Sequence, residues 1–154
     1  MIRITRQTDY GIAILAYLAP KPIDAIHTAR DVSAVSHVPL PMVSKILKTL
    51  AREGLLTSHR GVKGGYSLAR QLDGITLGEV IQAFEGRIGL TECASQPGSC
   101  EHEPICPVRT NWQRVNSVVL QALERIPLSD MMTPGSSELI HVGGPPILAT
   151  PRAC

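Results

Sequence analysis

The chain has 154 residues, of which 44% are hydrophobic, enough for one ordinary domain or a small domain with an extension. No apolar run approaches the ~20 residues of a membrane span, and the N-terminus lacks the apolar segment and cleavage site of a secretory signal. We therefore expect a cytoplasmic protein with no membrane association. Thiols stay reduced in that compartment, so clustered cysteines indicate metal or redox chemistry rather than disulfides.

The net charge of +2 conceals an uneven distribution. Residues 1–73 hold ten Lys and Arg against five Asp and Glu, whereas residues 74–154 hold five against eight. The first part is therefore suited to bind a polyanion, and the second part is not.

The first 73 residues are predicted to form three helices and a hairpin. Apolar spacing and flanking Pro and Gly residues predict helices over Thr8–Leu18, Thr28–Ser36 and Pro41–Gly54. Residues 55–60 and 65–70 have the character of short strands, and the GVKG sequence between them predicts a tight turn. Helices, turn and basic hairpin in this order indicate a winged helix-turn-helix.

The remaining chain is predicted to hold a fourth helix over Thr76–Gly86, a cysteine-rich loop and a long helix that begins at Val108. A monomer has little core left for the long helix to cover, so we expect it to pair with a second copy. Residues 131–154, rich in Gly, Pro and Ser, are predicted to be a flexible tail. The long helix has an apolar stripe of residues three or four apart: Val108, Trp112, Val115, Val119, Ala122 and Ile126.

The predicted fold is thus mainly α with a small β-hairpin wing. It divides into a DNA-binding segment (1–73), a segment with the cysteine loop and dimerisation helix (74–130), and the tail (131–154).

The second helix of a helix-turn-helix pair enters the major groove of double-stranded DNA, where its exposed side chains meet base edges. Lysine can donate to guanine or phosphate, serine can pair with several bases, and methionine can contact a thymine methyl group. These residues have two alternative explanations, as solvated charges or as a protein-binding surface, but the charge balance favours DNA. The candidate DNA contacts are Pro41, Met42, Ser44, Lys45, Lys48 and Thr49 on the third helix, Arg60 and Lys63 on the hairpin, and Arg3 and Arg6 near the N-terminus.

Cys93, Cys100 and Cys106 have the spacing C-x6-C-x5-C. Thiolates select zinc, copper(I) or iron–sulfur clusters, and zinc knuckles use cysteines about two to four residues apart. The wider spacing suits a larger inorganic core, and three thiolates leave one position for another ligand. A weakly held position of this kind suits a sensor. Surface cysteines without metal remain an alternative at this point.

The other polar residues of the loop are weaker candidates. His102 lies between two of the cysteines and is a possible imidazole ligand, although a lone loop histidine is more often merely exposed. Glu92, Glu101 and Glu103 are expected to keep the loop solvated. Cys154, at the end of the tail, is a poor ligand candidate.

Several segments together resemble the IscR/NsrR-type winged-helix iron–sulfur regulators. They are MIRITRQTDYGIAILAYLA, VPLPMVSKILKTLAREGLL, RGVKGGYSLAR, ITLGEVIQAFEG and the cysteine loop TECASQPGSCEHEPICPVRTNW. The resemblance covers about residues 1–130, and its most specific feature is the R-G-x-x-G-G-Y wing joined to three downstream cysteines. Within the family, the loop is most similar to that of regulators of the SUF iron–sulfur assembly operon.

The resemblance implies a homodimer on a near-palindromic operator, with a 4Fe–4S or 2Fe–2S cluster held in each subunit by Cys93, Cys100 and Cys106. IscR-type members take a fourth ligand from a histidine three residues after the last cysteine, where this chain has Arg109. NsrR-type members use an aspartate near the start of the first helix of the other subunit, and Asp9 matches that position. An acidic residue also stabilises the first turn of a helix, so both explanations of Asp9 stay open.

The expected function is a transcriptional repressor that senses iron–sulfur cluster status and controls cluster assembly genes. One alternative is a nitric-oxide-responsive repressor of the same family. Another is a small iron–sulfur electron-transfer or redox protein, which would leave the basic winged helix unexplained. An enzyme is not expected, because no phosphate loop, nucleophile elbow or paired-carboxylate arrangement is recognisable.

Overall fold

The computed structural model describes residues 4–132, so Arg3, Cys154 and residues 133–154 of the predicted tail lie outside the described residues. The fold is mainly helical with one antiparallel hairpin, which confirms the predicted fold class. Three short 3-10 helices lie at Leu72–Gly74, Glu103–Ile105 and Leu128–Met132. The main elements are α1 (Arg6–Leu18), α2 (Ala29–Ser36), α3 (Leu40–Arg52), β1 (Leu56–His59), β2 (Gly65–Leu68), α4 (Leu77–Glu85), α5 (Glu92–Ser95) and α6 (Arg109–Arg125).

Threonine side chains determine where three of these helices begin. Thr5 caps α1 by accepting a backbone N–H from its first turn, so α1 begins at Arg6 rather than at the predicted Thr8. Thr28 and Thr76 form capping boxes at α2 and α4, each with an acidic residue three positions later. In α2 that residue is Asp31, and the hydrogen bond from the Thr28 hydroxyl holds the pKa of the Asp31 carboxyl below its ordinary value.

A tight turn orients α3 relative to α2. His37 ends α2 in the left-handed region, with φ at 56°, and the Ser33 hydroxyl donates a 2.7 Å hydrogen bond to the Val38 carbonyl across the turn. Pro41 lies in the first turn of α3, where its missing N–H costs nothing. The apolar side of α3 is fully buried through Val43, Ile46, Leu47 and Leu50.

The hairpin lies beside the segment that precedes α2. His27 and Tyr66 exchange two backbone hydrogen bonds, of 2.8 and 2.9 Å, which extend the two-stranded sheet by one bridge. A Cβ atom on Gly65 would lie 2.5 Å from the His27 carbonyl oxygen. The second glycine of the GGY sequence is therefore needed for this close approach.

One hydrophobic core extends across residue 73, the predicted boundary between the first two segments. Ile14 and Leu15 of α1 belong to the same buried cluster as Val80 of α4. Helices α1 and α4 cross at Gly11, where a Cβ atom would lie only 2.5 Å from Phe84 Cε2. The segments 1–73 and 74–130 therefore share a core, and their separate roles stay a prediction.

Candidate nucleic-acid interface and metal-binding segment

The exposed side of α3 carries a row of basic side chains. Pro41, Lys45 and Lys48 are exposed and lie four and three residues apart, so they share one face of the helix. Arg52 continues the row at the next step of four, with its side chain 71% exposed and its Nε atom 2.8 Å from the Glu53 carboxylate. The sequence interpretation missed Arg52, although the same spacing would have included it.

The other candidate contacts of α3 are less accessible. Ser44 and Thr49 are half-buried beside the basic row. Met42 is also half-buried and packs against the core, which leaves only part of its side chain for a partner.

The turn of the hairpin and the start of α1 supply further exposed cations. Arg60 and Lys63 flank the fully exposed Val62 at the hairpin tip, and Arg6 is exposed in the first turn of α1. Contacts of all these residues with DNA, and those of Arg3 outside the described residues, stay predictions.

The cysteine loop contains two short helical turns rather than irregular chain throughout. Cys93 lies in α5 and is 8% exposed, with its Sγ atom 3.3 Å from the Thr91 hydroxyl. Cys100 and Cys106 are half-buried and flank the 3-10 turn at Glu103–Ile105. All three are free thiols.

The donor chemistry of this segment suits a thiophilic metal centre, but its geometry is not that of a closed ligand set. Within residues 4–132, no three His, Cys, Asp or Glu side chains converge closely enough to hold a metal ion. Three free thiols within one short segment remain the right donors for a cluster. The candidate ligands Asp9 and His102 are both exposed.

Glu103 corrects the expectation that the acidic residues of the loop are solvated. Glu92 and Glu101 are exposed as expected, whereas Glu103 is only 6% exposed. Its two carboxylate oxygens accept a 2.6 Å hydrogen bond from the Gly98 amide and a 2.8 Å ion-paired contact from Arg109 Nη2. Glu103 can be buried because both oxygens have donors, one of them charged.

The end of α4, which precedes the cysteine loop, is fixed to the first turn of α1 by Glu85. One carboxylate oxygen of Glu85 accepts hydrogen bonds from the Thr5 amide at 2.9 Å, the Thr5 hydroxyl at 2.8 Å and the Thr8 hydroxyl. Partial desolvation acts to raise the pKa of Glu85, but the threonine hydrogen bonds outweigh it and hold that pKa below its ordinary value. Asp9 belongs to the same turn of α1.

Helix α6 has one packed face and one exposed apolar face. On the packed face, the buried Asn116 side chain accepts a 2.9 Å hydrogen bond from the Leu90 amide. The predicted apolar stripe is wrong at its last residue, Ile126, which is not available to a second copy. Ile126 is only 8% exposed, and its carbonyl accepts a 2.8 Å hydrogen bond from the Leu77 amide. The large hydrophobic residues exposed on α6 and just before it are Val108, Trp112, Val115 and Val118, at 43% to 58% exposure.

The helix-turn-helix, the basic face of its second helix and the basic hairpin together define the class of winged-helix DNA-binding proteins. Within the described residues 4–132, no helix has both the length and the apolar character needed to cross a bilayer.

The chain belongs to the Rrf2 family, described as iron-dependent transcriptional regulators, whose model matches residues 4–134. It is 27% identical to the HTH-type transcriptional regulator NsrR of Halalkalibacterium halodurans, over 86% of this chain and 91% of that protein. These findings confirm the predicted class of function, a DNA-binding transcriptional repressor.

Two solved structures are similar in fold. CymR, the global cysteine regulator of B. subtilis, superposes with a TM-score of 0.63 at 26% identity, over 86% of this chain and 97% of that one. T. potens IscR superposes with a TM-score of 0.60 at 22% identity, over 85% of this chain and 86% of that one. Together with the family match and the likeness to NsrR, they confirm the resemblance to IscR/NsrR-type winged-helix regulators.

Proposed function

We propose that this chain is a repressor that binds a near-palindromic DNA operator as a homodimer and senses iron–sulfur cluster status. One observation carries the proposal: Glu85, which ends the helix that precedes the three free thiols, is hydrogen-bonded to the first turn of α1 in the DNA-binding part. The description of the family as iron-dependent supports it. The proposed location is the cytoplasm, where free thiols persist.

The proposed ligands are Cys93, Cys100 and Cys106 of one subunit and Asp9 of the partner subunit. The exposed position of Asp9 makes its carboxylate available to a second copy. When bound, a 4Fe–4S or 2Fe–2S cluster would supply a centre that is sensitive to iron supply, oxidants and nitric oxide. Because the three thiols do not converge in this fold, we propose that loading brings Cys93 together with the turn that holds Cys100 and Cys106.

Dimerisation is proposed to use the exposed apolar face of α6. Trp112 and Val115 are 43% and 47% exposed on a helix whose adjacent side, around Asn116, is already packed. Apolar residues at steps of three and four suit pairing with the same helix of a second subunit.

The chain offers a short route from the cysteine segment to the DNA-binding helix. Glu85 of α4 is hydrogen-bonded to the first turn of α1, and Phe84 of α4 packs on Gly11 in the next turn of α1. Helix α1 in turn packs against α3. A change in the cysteine segment that shifts α1 would therefore shift the basic row, and coupling of this kind typically changes affinity by about 5–150-fold.

The target genes and the signal are the finer part of the proposal. The similarity of the loop to that of SUF regulators favours genes for iron–sulfur assembly. The likeness to a protein named NsrR and the presence of Asp9 in the first turn of α1 favour the nitric-oxide-responsive alternative. Exposure of the loaded protein to nitric oxide or to an iron chelator, with operator binding as the readout, separates these signals.

The ligand proposal is tested by anaerobic purification and reconstitution, with visible spectroscopy and native mass measurement. We expect a coloured dimer from the wild type and from Cys154→Ser, and loss of the cluster from Cys93→Ser, Cys100→Ser and Cys106→Ser. Asp9→Ala is expected to load but to lose its cluster faster than Asp24→Ala, a control at another exposed aspartate. A wild-type protein that stays colourless and metal-free after reconstitution would contradict the proposal.

A further inference from the structure

Glu103 is the single buried carboxylate among residues 4–132, and it lies between two of the proposed cluster ligands. A buried charge is costly unless it is paired and hydrogen-bonded, so a sequence retains one only where its contacts compensate. Glu92 and Glu101, in the same segment, are exposed. The burial of Glu103 therefore reflects specific contacts and not the general acidity of the loop.

The carboxylate of Glu103 joins separate points of the chain. Its Oε2 atom accepts the Gly98 amide at 2.6 Å, which closes the turn two residues before Cys100. Its Oε1 atom contacts Arg109 Nη2 at 2.8 Å, at the first residue of α6 and three residues after Cys106. One side chain thus connects the turn before Cys100 to the helix after Cys106.

Backbone hydrogen bonds connect both cysteines to the turn that the Glu103 side chain holds in place. The Glu103 amide donates to the Cys100 carbonyl at 3.0 Å, and the Glu103 carbonyl accepts from the Cys106 amide at 3.5 Å. The Arg109 amide donates to the Cys106 carbonyl at 3.4 Å. Cys93 is held differently, by its own burial in α5.

We propose that Glu103 and Arg109 are positioning residues that fold the segment from Gly98 to α6 before a cluster arrives. This inference rests on the proposed function for its purpose, since a prefolded segment lowers the entropy lost when the thiols close on a cluster. It also gives a role to Arg109, which stands where IscR-type regulators have a histidine ligand. The guanidinium group acts here by pairing with Glu103 and not as a ligand.

The first test uses the full chain in its reduced, cluster-free form. Exchange of the Gly98 amide is followed by NMR, and alkylation of each cysteine by iodoacetamide is followed by mass spectrometry. We expect Glu103→Ala to accelerate Gly98 exchange and the alkylation of Cys100 and Cys106 on the order of tenfold, because a charged hydrogen bond that closes the loop is lost. Alkylation of Cys93 and the thermal unfolding temperature are expected to change little.

Matched variants separate the two contacts of the carboxylate. Glu101→Ala, at the exposed neighbour, should behave as the wild type. Glu103→Gln keeps an acceptor for the Gly98 amide but loses the ion pair, so its alkylation rates should lie between those of wild type and Glu103→Ala. Arg109→Met should resemble Glu103→Gln, and the conservative Arg109→Lys should restore most of the protection.

A second measurement tests whether the contacts of Glu103 help a cluster to bind. During anaerobic reconstitution with iron and sulfide, Glu103→Ala should gain visible absorption more slowly than Glu101→Ala.

If the wild type does not load, the proposed function fails while the alkylation pattern still reports on the loop. Identical Gly98 exchange and alkylation in Glu103→Ala and Glu101→Ala would overturn the inference, as would an equal acceleration at Cys93. Unchanged reconstitution despite faster alkylation would overturn the link to loading.

Discussion

Two glutamates hold the chain on either side of Cys93: Glu85 at the end of α4, before the cysteine loop, and Glu103 within the loop. Glu85 accepts hydrogen bonds from Thr5, which lies 80 residues earlier in the chain. Glu103 pairs with Arg109 across Cys106. Neither contact follows a local spacing rule. Glu85 and Thr5 meet through tertiary packing, and Glu103 and Arg109 meet through a turn whose shape depends on their own pairing. Periodicity therefore could not reveal these contacts, and in the sequence both residues look like ordinary surface acids.

The contact of Glu85 with α1 should make stability depend on pH in a defined direction. Because the folded-state pKa of Glu85 is lowered, its contribution is fully present above the unfolded-state pKa of about 4.3 and is lost as the pH falls through the lower folded value. We expect wild type to exceed Glu85→Gln in free energy of unfolding at neutral pH, and the gap to close in acid. Urea titrations across this range, on cluster-free protein, provide the measurement.

Glu101→Gln is the control for that titration, because Glu101 is exposed like Glu85 but, within the described part of the chain, lacks hydrogen bonds like those that Glu85 accepts from Thr5. Its free energy of unfolding should run parallel to that of wild type at every pH. A gap between wild type and Glu85→Gln that persists unchanged below the folded-state pKa would show that the threonine hydrogen bonds do not depend on the carboxylate charge.

At the level of helices and strands, the spacing of apolar residues and the turn residues were enough to predict most of the winged helix-turn-helix. The apolar positions Val43, Ile46, Leu47 and Leu50 recur at helical spacing and are all fully buried. The glycine-rich turn predicted the hairpin, and its strands pair in antiparallel register. The stripe on α6 was predictable only in part. Ile126 has the right spacing but is pulled into the core, where its carbonyl pairs with the Leu77 amide.

The exposed face of α6 gives a prediction about assembly. Trp112→Glu combined with Val115→Glu should convert the proposed dimer into a folded monomer, because two carboxylates would be desolvated at the proposed interface. Sedimentation equilibrium measures the mass, and circular dichroism checks that the helices remain.

Gln113→Glu combined with Gln121→Glu is the matched control, since it adds the same charge at exposed positions of α6 off the apolar face. This variant should remain a dimer. A Trp112→Glu, Val115→Glu protein that sediments as a dimer would place the interface elsewhere.

Across the fold, the DNA-binding part and the cysteine segment are joined by a shared core and by the α1–α4 contact. The uneven charge of the sequence predicts that the first part meets DNA, and the cysteine spacing favours a large inorganic core; both stay predictions. The arrangement of the proposed ligands could not be predicted from the sequence, because it depends on tertiary packing, and the three thiols do not converge in this fold.

The proposal that this repressor senses iron–sulfur status is tested most directly by its affinity for the operator with and without the cluster. Fluorescence anisotropy on duplex DNA from upstream of the protein's own gene, at several salt concentrations, should show tighter binding by the loaded wild type than by its cluster-free form. The expected ratio is about 5–150-fold, and Cys100→Ser should bind as the cluster-free wild type does. Affinity should fall steeply with salt in all forms, because the proposed contacts of basic side chains with phosphates would release counterions. Equal operator affinity of the loaded and cluster-free wild type, at every salt concentration, would contradict the proposal that this repressor senses iron–sulfur status.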